Sequence, residues 1–528
     1  MKKMLSIITA ISVMVLGFSG CGSGKSSSGG EAGTTLSYWV NMDSNVSTRI
    51  QSYNEVSMYK QREKDSGIHI NFLHPANGQA KEQFNLMIAS RDLPDMIEYG
   101  WNNYQGGVQK AIDDGVINAL NDYMQYAPNF SAALDNKNEL SPIYRKGSLT
   151  DQGKYYGFTT LNIGDYRIFG GPAIRKDWLD ELGLAVPETI DEWTAVLKAF
   201  KEKKGASAPL TGMLTVLATG NFSSFVGAFG IGNRWYIDNE TVKYGPMQDK
   251  YKDYLALLNS WYKDGLLDRD ISTNQQTLID AKILNGSSGA LVNAYLGSGL
   301  GRYLKQMQTE DANFNLVGTP YPVLKKGDMN SYSLNMEGDV MASSTVAVTT
   351  ACSNVKAAVE WMDYWYSDEG YMLLNFGIEG ESYEMVDGKP VYTDTILKNP
   401  DGLSINEALL LNCRATAPAP GFKQAPEYLE QYYEFPQQRD ALKLWVNNAQ
   451  EGRKTMLPNL MPTSEEAEEI AAIVTDLNTY VNEMTWKFIT GEESLDKFDD
   501  FRNTVSKNFN MQRYSEMMQN QYDRYLQR

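Results

Sequence analysis

Apolar and polar residues alternate from Ile68 to Phe72, with His69 and Asn71 between Ile68, Ile70 and Phe72. A period of two predicts a strand with one buried face and the two polar side chains turned outward. A second short strand, TLSYWVNM, precedes it and ends near Trp39 and Asn41. A helical stretch over about 53–64 lies between them. Downstream, KEQFNLMIAS puts Phe84, Met87 and Ile88 on one helical face. DLPDMIEYGW then turns at Pro94 and enters a strand over 95–99. Strand, helix, strand, helix, strand is the pattern of an α/β domain with a largely parallel sheet. Such sheets bind ligands beyond the carboxyl ends of their strands. Residues 39–41 and 99–102 sit at two such ends.

Farther along, YYGFTTLNIGDYRIFGGPAIR reads as extended chain punctuated by glycine, followed by a helix from Lys176. Thr189 and Glu192 form a capping box in front of a helix whose buried face is Trp193, Val196, Leu197 and Phe200. Another helix covers 251–263 and stops at Gly265. ILNGSSGALVN returns to a Gly-rich turn and a short apolar strand. The last third is helix-rich. There Thr463 and Glu466 open a long helix with the stripe Ile470, Ile473, Val474, Leu477, Val481, Met484 and Phe488, which closes at Gly491. No internal repeat is visible.

The first residues change the picture. Lys2 and Lys3, an apolar run from Leu5 to Phe18 and small residues before Cys21 have the layout of a secretory signal. The run is shorter than the roughly 20 residues of a membrane span. Phe18-Ser19-Gly20-Cys21 resembles the bacterial lipobox, with Phe18 where Leu is usual. The mature chain is expected to start at Cys21, lipidated, with residues 21–35 as a Gly/Ser-rich flexible tether. The remaining length suggests two large lobes. A formal charge of −17 argues against general binding to nucleic acid or anionic membrane. Besides Cys21 only Cys352 and Cys413 occur, so there is no disulfide framework, although one bridge between them stays open. The 2 histidines, His69 and His74, argue against zinc sites and His-based nucleophilic triads.

A wider resemblance rests on GIHINFLHP, KEQFNLMIASRDLPDMIEYGW, AIDDGVINALNDY, GKYYGF, IRKDWLDELGLAVPETIDEWTAVLKAFK, YKDYLALLNSWYKDGLLDRD, WMDYWYSDEGYMLLNFGIEGESYEMVDGKPVYTD and KFITGEESLDKFDDF. In their order and coverage these segments resemble bacterial extracellular solute-binding protein family 1. The likeness is to its large lipoprotein members serving sugar-importing ABC transporters. The resemblance implies a two-lobed periplasmic-binding-protein-like α/β fold of type II with the ligand cleft between lobes. It implies an N-terminal lobe of residues 36–158 with a return over about 285–345, and a C-terminal lobe of 159–284 and 346–528. It further implies a carbohydrate ligand, ABC permease subunits as partners, a monomer, no enzymatic activity and no cofactor. Some relatives bind calcium in an acidic loop; here Lys203-Lys204-Gly205-Ala206-Ser207 stands in its place, so no metal is expected.

Sugars offer flat ring faces to aromatics and a rim of hydroxyls to Asn, Asp, Glu and Arg. With 10 Trp and 32 Tyr, most rings must be core, so position selects the candidates. They are Trp39, Asn41, Tyr99, Trp101 and Asn102 at the early strand ends, and Tyr166 and Arg167 in a presumed crossing segment. The others are Asn233, Arg234 and Trp235 in a Gly-flanked loop, Tyr295 at the end of ALVNAY, and Glu337 and Asp339 in NMEGDV. Glu379 and Glu381 read as structural caps. A carbohydrate-active enzyme, which needs paired carboxylates, and a peptide receptor or sensor on the same fold are the alternatives.

Overall fold

The structure is a computed structural model that describes residues 33–528 apart from 44–46, 48, 136–137, 164–167, 418 and 424. The signal segment, Cys21, most of the tether, Tyr166 and Arg167 therefore lie outside the described residues. The strands are β1 (Thr35–Val40), β2 (His69–Leu73), β3 (Met96–Tyr99), β4 (Phe158–Asn162), β5 (Ile168–Arg175), β6 (Leu210–Thr211), β7 (Trp235–Asp238) and β8 (Thr241–Tyr244). They continue with β9 (Ala290–Tyr295), β10 (Leu316–Gly318), β11 (Asn335–Met336), β12 (Val340–Val348), β13 (Tyr383–Val386), β14 (Lys389–Tyr392) and β15 (Gly421–Lys423).

Two sheets organise the molecule. The first has the order β15-β4-β12-β3-β1-β2; the second runs β10-β5-β9-β6, with β11 also on β5. In the first, β1 is parallel to β2 and β3, β15 is parallel to β4, and β12 runs antiparallel between β3 and β4. In the second, β6 is parallel to β9 and β5 antiparallel to it. Apolar alternation sets β2: Ile70 and Phe72 are buried while His69 and Leu73 are exposed.

The helices follow their sequence signals. Thr189 Oγ1 accepts from Glu192 N at 3.2 Å while Glu192 takes the Thr189 N–H at 3.1 Å, a complete capping box for Ile190–Lys204. The same reciprocal pair, Thr463 and Glu466, opens the 27-residue helix Ser464–Thr490, about 40 Å long. Gly491, at φ 81°, closes it in the left-handed conformation glycine allows.

The lobe boundaries differ from those the resemblance implied. Of the expected return over 285–345, β9, β10 and β11 belong to the second sheet, and only β12 rejoins the first. Residues 346–423, assigned above to the C-terminal lobe, supply β15 and pack Trp361, Trp365 and Phe422 into the core around Tyr38, Phe72 and Phe158. Both sheets are covered on their faces, so their strands share one apolar signature and local sequence does not tell which sheet a strand joins. The chain passes directly between the sheets twice, from β4 to β5 and from β11 to β12. After β15 the helix Pro436–Val446 reaches the second sheet, where Trp445 Nε1 donates to Thr319 O at 2.8 Å.

Candidate functional site

The parallel strands of both sheets end around these crossings. In the first sheet β1 and β3 stop at Val40 and Tyr99, and β4 and β15 stop side by side, with Asn162 in register with Lys423. In the second sheet β6 and β9 stop at Thr211 and Tyr295. Tyr295 leads straight into a π-helical turn, Leu296–Gly301, and β6 is followed by another, Thr215–Thr219. Such turns are rare and concentrate at functional sites.

These loops carry a cluster of aromatic rings. Phe169, at the start of β5, stacks on Tyr295 with ring centroids 5.8 Å apart and planes 23° apart. Phe222 meets the Phe169 ring edge-on at 5.9 Å. Tyr295 and Phe222 are 40 % and 37 % exposed, in a molecule whose other large aromatics are mostly core. An exposed aromatic cluster at the strand ends is a candidate binding surface.

The loop that delivers Phe222 is held from beneath. Four successive carbonyls, Leu217 to Gly220, each receive a side-chain donor. Tyr254 Oη donates to Leu217 O at 2.5 Å, Tyr251 Oη to Ala218 O at 3.2 Å, Arg234 Nε to Thr219 O at 3.0 Å and Asn233 Nδ2 to Gly220 O at 2.7 Å. A π-turn leaves carbonyls without helical partners, and buried ones must be satisfied. Arg234 also donates to Tyr244 Oη at 2.9 Å and to Asn482 Oδ1, tying the turn to β8 and the long C-terminal helix.

Beside Phe169 lies a pocket of about 100 Å³ lined by Asn162, Glu337, Met341, Thr416 and Lys423. Lys423 is 3 % exposed, and its ammonium donates to Arg414 O at 2.6 Å and to Ala417 O. Burial, then the charge of Arg414, brings its pKa down to about 7, against an opposing pull from Glu337. Asn162 is fully buried; its Nδ2 donates to Gly338 O at 2.7 Å and its Oδ1 has no partner. Thr416 Oγ1 is likewise buried without a partner.

Known proteins can be set beside this geometry. The model of the bacterial extracellular solute-binding protein family matches residues 47–372. The chain belongs to this family. It is 24 % identical over 508 residues to the fructooligosaccharide ABC transporter substrate-binding protein FusA of Streptococcus pneumoniae serotype 4, covering 89 % of this chain and 87 % of that one. Among solved structures, a human-milk-oligosaccharide (HMO) binding solute-binding protein from Bifidobacterium longum infantis superposes with a TM-score of 0.72 at 17 % identity, over 94 % of this chain and 99 % of its own. The alginate-binding protein AlgQ2, solved without calcium, gives a TM-score of 0.68 at 23 % identity, with the same two coverages. These structures share the two-lobed fold.

In this solute-binding protein the candidates read from sequence separate into groups. Asn41 is exposed just past β1, Tyr99 is half-buried at the end of β3, and Tyr295 is exposed at the end of β9. Glu337 lies in the β11-to-β12 crossing and lines the pocket. Asp339, two residues on, is buried and pairs with Arg453 Nε at 3.2 Å, a tie within the crossing region. Trp39 is 4 % exposed and meets Tyr99 edge-on at 6.0 Å, so it props that ring. Asn102 is exposed, and its Nδ2 donates to Asn459 Oδ1 at 2.5 Å. Trp101 is a correction: it is fully buried against Phe84, with Nε1 bonded to Ile97 O at 3.3 Å. Asn233 and Arg234 are corrections too, being buried beneath the Phe222 loop. Trp235 packs on Tyr244 and Tyr514 at 4.8 and 4.9 Å. Glu379 and Glu381 are exposed. The structure adds Phe169, Phe222, Asn162, Thr416 and Lys423. Only the glycines around GNFSS and IFGGP hinted at these loops.

His69 Nδ1 sits 2.7 Å from Glu63 on the surface, and His74 is bonded on both nitrogens to backbone, at Val40 O and Tyr53 N. Cys352 and Cys413 are both free and buried, so the possible bridge between them is not formed. Among the described residues no group of three or more His, Cys, Asp or Glu is placed to hold a metal, and no helix is long and apolar enough to cross a membrane.

Proposed function

We propose that this protein is the lipid-anchored, extracellular receptor of an ABC importer, and that it binds an oligosaccharide between its two sheets. The observation that carries the carbohydrate reading is the exposed Phe169–Tyr295–Phe222 cluster at the strand ends beside the crossings. Ring faces of a sugar stack on such rings, while Asn41, Glu337 and the pocket beside Phe169 offer partners to hydroxyls. Relatives named for fructooligosaccharides and human-milk oligosaccharides support the same class of ligand. Binding proceeds with hinge closure about the crossing segments, the route open to two-lobed binding proteins. Cys21 carries the lipid, and the monomeric, closed, loaded form meets the permease. The ligand is released unchanged.

The test is a thermal-shift panel of neutral and acidic oligosaccharides, with peptides as the comparison. A ligand at 100 times its Kd adds about 2.7 kcal/mol. Stabilisation by peptides alone would overturn the carbohydrate reading. Appearance of cleaved glycan on prolonged incubation would overturn the receptor reading in favour of an enzyme. For the anchor, Cys21→Ser should leave the protein in the medium or unprocessed, with ligand affinity unchanged. Membrane retention of a lipidated Cys21→Ser protein would refute it.

A further inference from the structure

The residues that line the pocket beside Phe169 carry unused hydrogen-bonding atoms. Asn162 is clamped through its other groups: its N–H donates to Asp339 O at 3.0 Å, Tyr144 Oη donates to its carbonyl at 2.6 Å, and Nδ2 is taken by Gly338 O. Only Oδ1 is left over, in a residue with no solvent exposure. Thr416 brings a buried hydroxyl without a partner. In its ammonium form Lys423 has three N–H donors, of which Arg414 O and Ala417 O take two. Buried polar atoms left unpaired each cost free energy, and native proteins keep few of them. Two such atoms belong to residues that line one small pocket, next to Lys423.

Its size and chemistry select the occupant. A volume of about 100 Å³ is smaller than the roughly 150 Å³ cavity that holds a benzene ring, so an exocyclic group enters it and the bulkier sugar ring stays outside. The ring then lies over Phe169, whose other neighbours are Tyr295 and Phe222. An amide oxygen, a hydroxyl and an ammonium match a hydroxyl, which both donates and accepts. A carboxylate accepts only, and it would set its lone pairs against Asn162 Oδ1.

We propose that the pocket formed by Asn162, Thr416, Lys423 and Phe169 is an end-group subsite that takes the hydroxymethyl terminus of a neutral oligosaccharide. The protein therefore captures chains by their ends and discriminates against uronate-terminated chains. This inference rests on the carbohydrate reading above.

The experiment is isothermal titration calorimetry with neutral tetrasaccharides of gluco, galacto, manno and fructo configuration. Each is compared with its counterpart oxidised to a uronic acid at the terminal hydroxymethyl group. Thr416→Val removes the hydroxyl at nearly constant volume, and Thr416→Ser restores it; melting curves confirm that both fold. For the tetrasaccharide that binds, Thr416→Val should weaken binding about five- to tenfold, Thr416→Ser should stay within about twofold, and the oxidised chain should bind at least about tenfold more weakly. If no tetrasaccharide and no oxidised counterpart binds, the carbohydrate reading falls and the subsite with it. If a tetrasaccharide binds but Thr416→Val and terminal oxidation both leave its affinity unchanged, the subsite alone is refuted. Tighter binding of the oxidised chain would also refute it.

Discussion

Arg414 grips Glu98 with both guanidinium nitrogens, NH1 to Oε2 at 2.9 Å and NH2 to Oε1 at 2.8 Å, and the two side chains are 3 % and 5 % exposed. Tyr38 Oη donates to the same carboxylate at 2.6 Å, and Arg414 also reaches Tyr59 Oη at 3.1 Å. The pair joins the end of β3 to the segment that continues into Thr416, so one contact both closes the first core and positions the pocket. Removing one partner strands the other as a buried charge, which costs about 3–5 kcal/mol. Glu98→Gln should therefore lower stability in urea unfolding by several kcal/mol and weaken ligand binding. Glu98→Met with Arg414→Met should lose less stability than either single change.

Phe169 and Tyr295 are stacked but partly exposed, so truncating Tyr295 should reveal binding with little effect on folding. Tyr295→Ala should change stability by no more than about 0.5 kcal/mol. Loss of a stacking ring, about 0.5–1.5 kcal/mol beyond area, should weaken glycan binding by roughly two- to tenfold or more in calorimetry. Arg234→Met should do the reverse in order: a lower melting temperature first, and weaker binding through the displaced Phe222 loop.

His74 gives the protein an acid-sensitive contact. Burial keeps its pKa below the ordinary 6.5, with the Arg414 charge acting in the same direction. The neutral ring accepts from Tyr53 N at 3.1 Å and donates to Val40 O at 2.9 Å. Because the folded value is the lower one, the unfolded chain takes up the proton first. The stability contributed is full above about pH 6.5 and is lost as pH falls below it. Urea unfolding at pH 7.5 and 5.5 should show a larger drop for the wild type than for His74→Gln.

The helix Met511–Gln527 ties the two lobes together. Tyr514 packs on Trp235 of the second lobe at 4.9 Å, while Arg524 and Arg528 both reach Asp151 of the first, at 2.6 and 2.8 Å. Asp151→Asn should speed hydrogen exchange over residues 520–528 and cost about 2 kcal/mol, the scale of hydrogen bonds to a charged group. Protection of 511–519 should persist.

Burial pushes the thiols of Cys352 and Cys413 up to about 12. Thiolate is the reactive form, so neither should react with a thiol reagent in the native protein at pH 8, and both should react on unfolding. Mass spectrometry before and after denaturation reads this directly.

The sequence by itself determined the local structure. Alternation in INF placed β2, two capping boxes placed the starts of their helices, and Gly491 ended the longest one, because each signal is a contact within a few residues. It also limited the chemistry, since two histidines argue against zinc sites and His-based nucleophilic triads. Only the tertiary structure decided which sheet each strand joins, since β9 and β12 are both apolar runs and sheet membership depends on partners far away in sequence. The same holds for the site. Trp101 and Arg234 looked like ligand contacts because of their type and place in the chain, yet one fills a core and the other satisfies the carbonyls of a π-turn. Phe169, Phe222 and Tyr295 come together from three separate segments, and no local pattern records a cluster that exists only when two strand ends and a crossing converge.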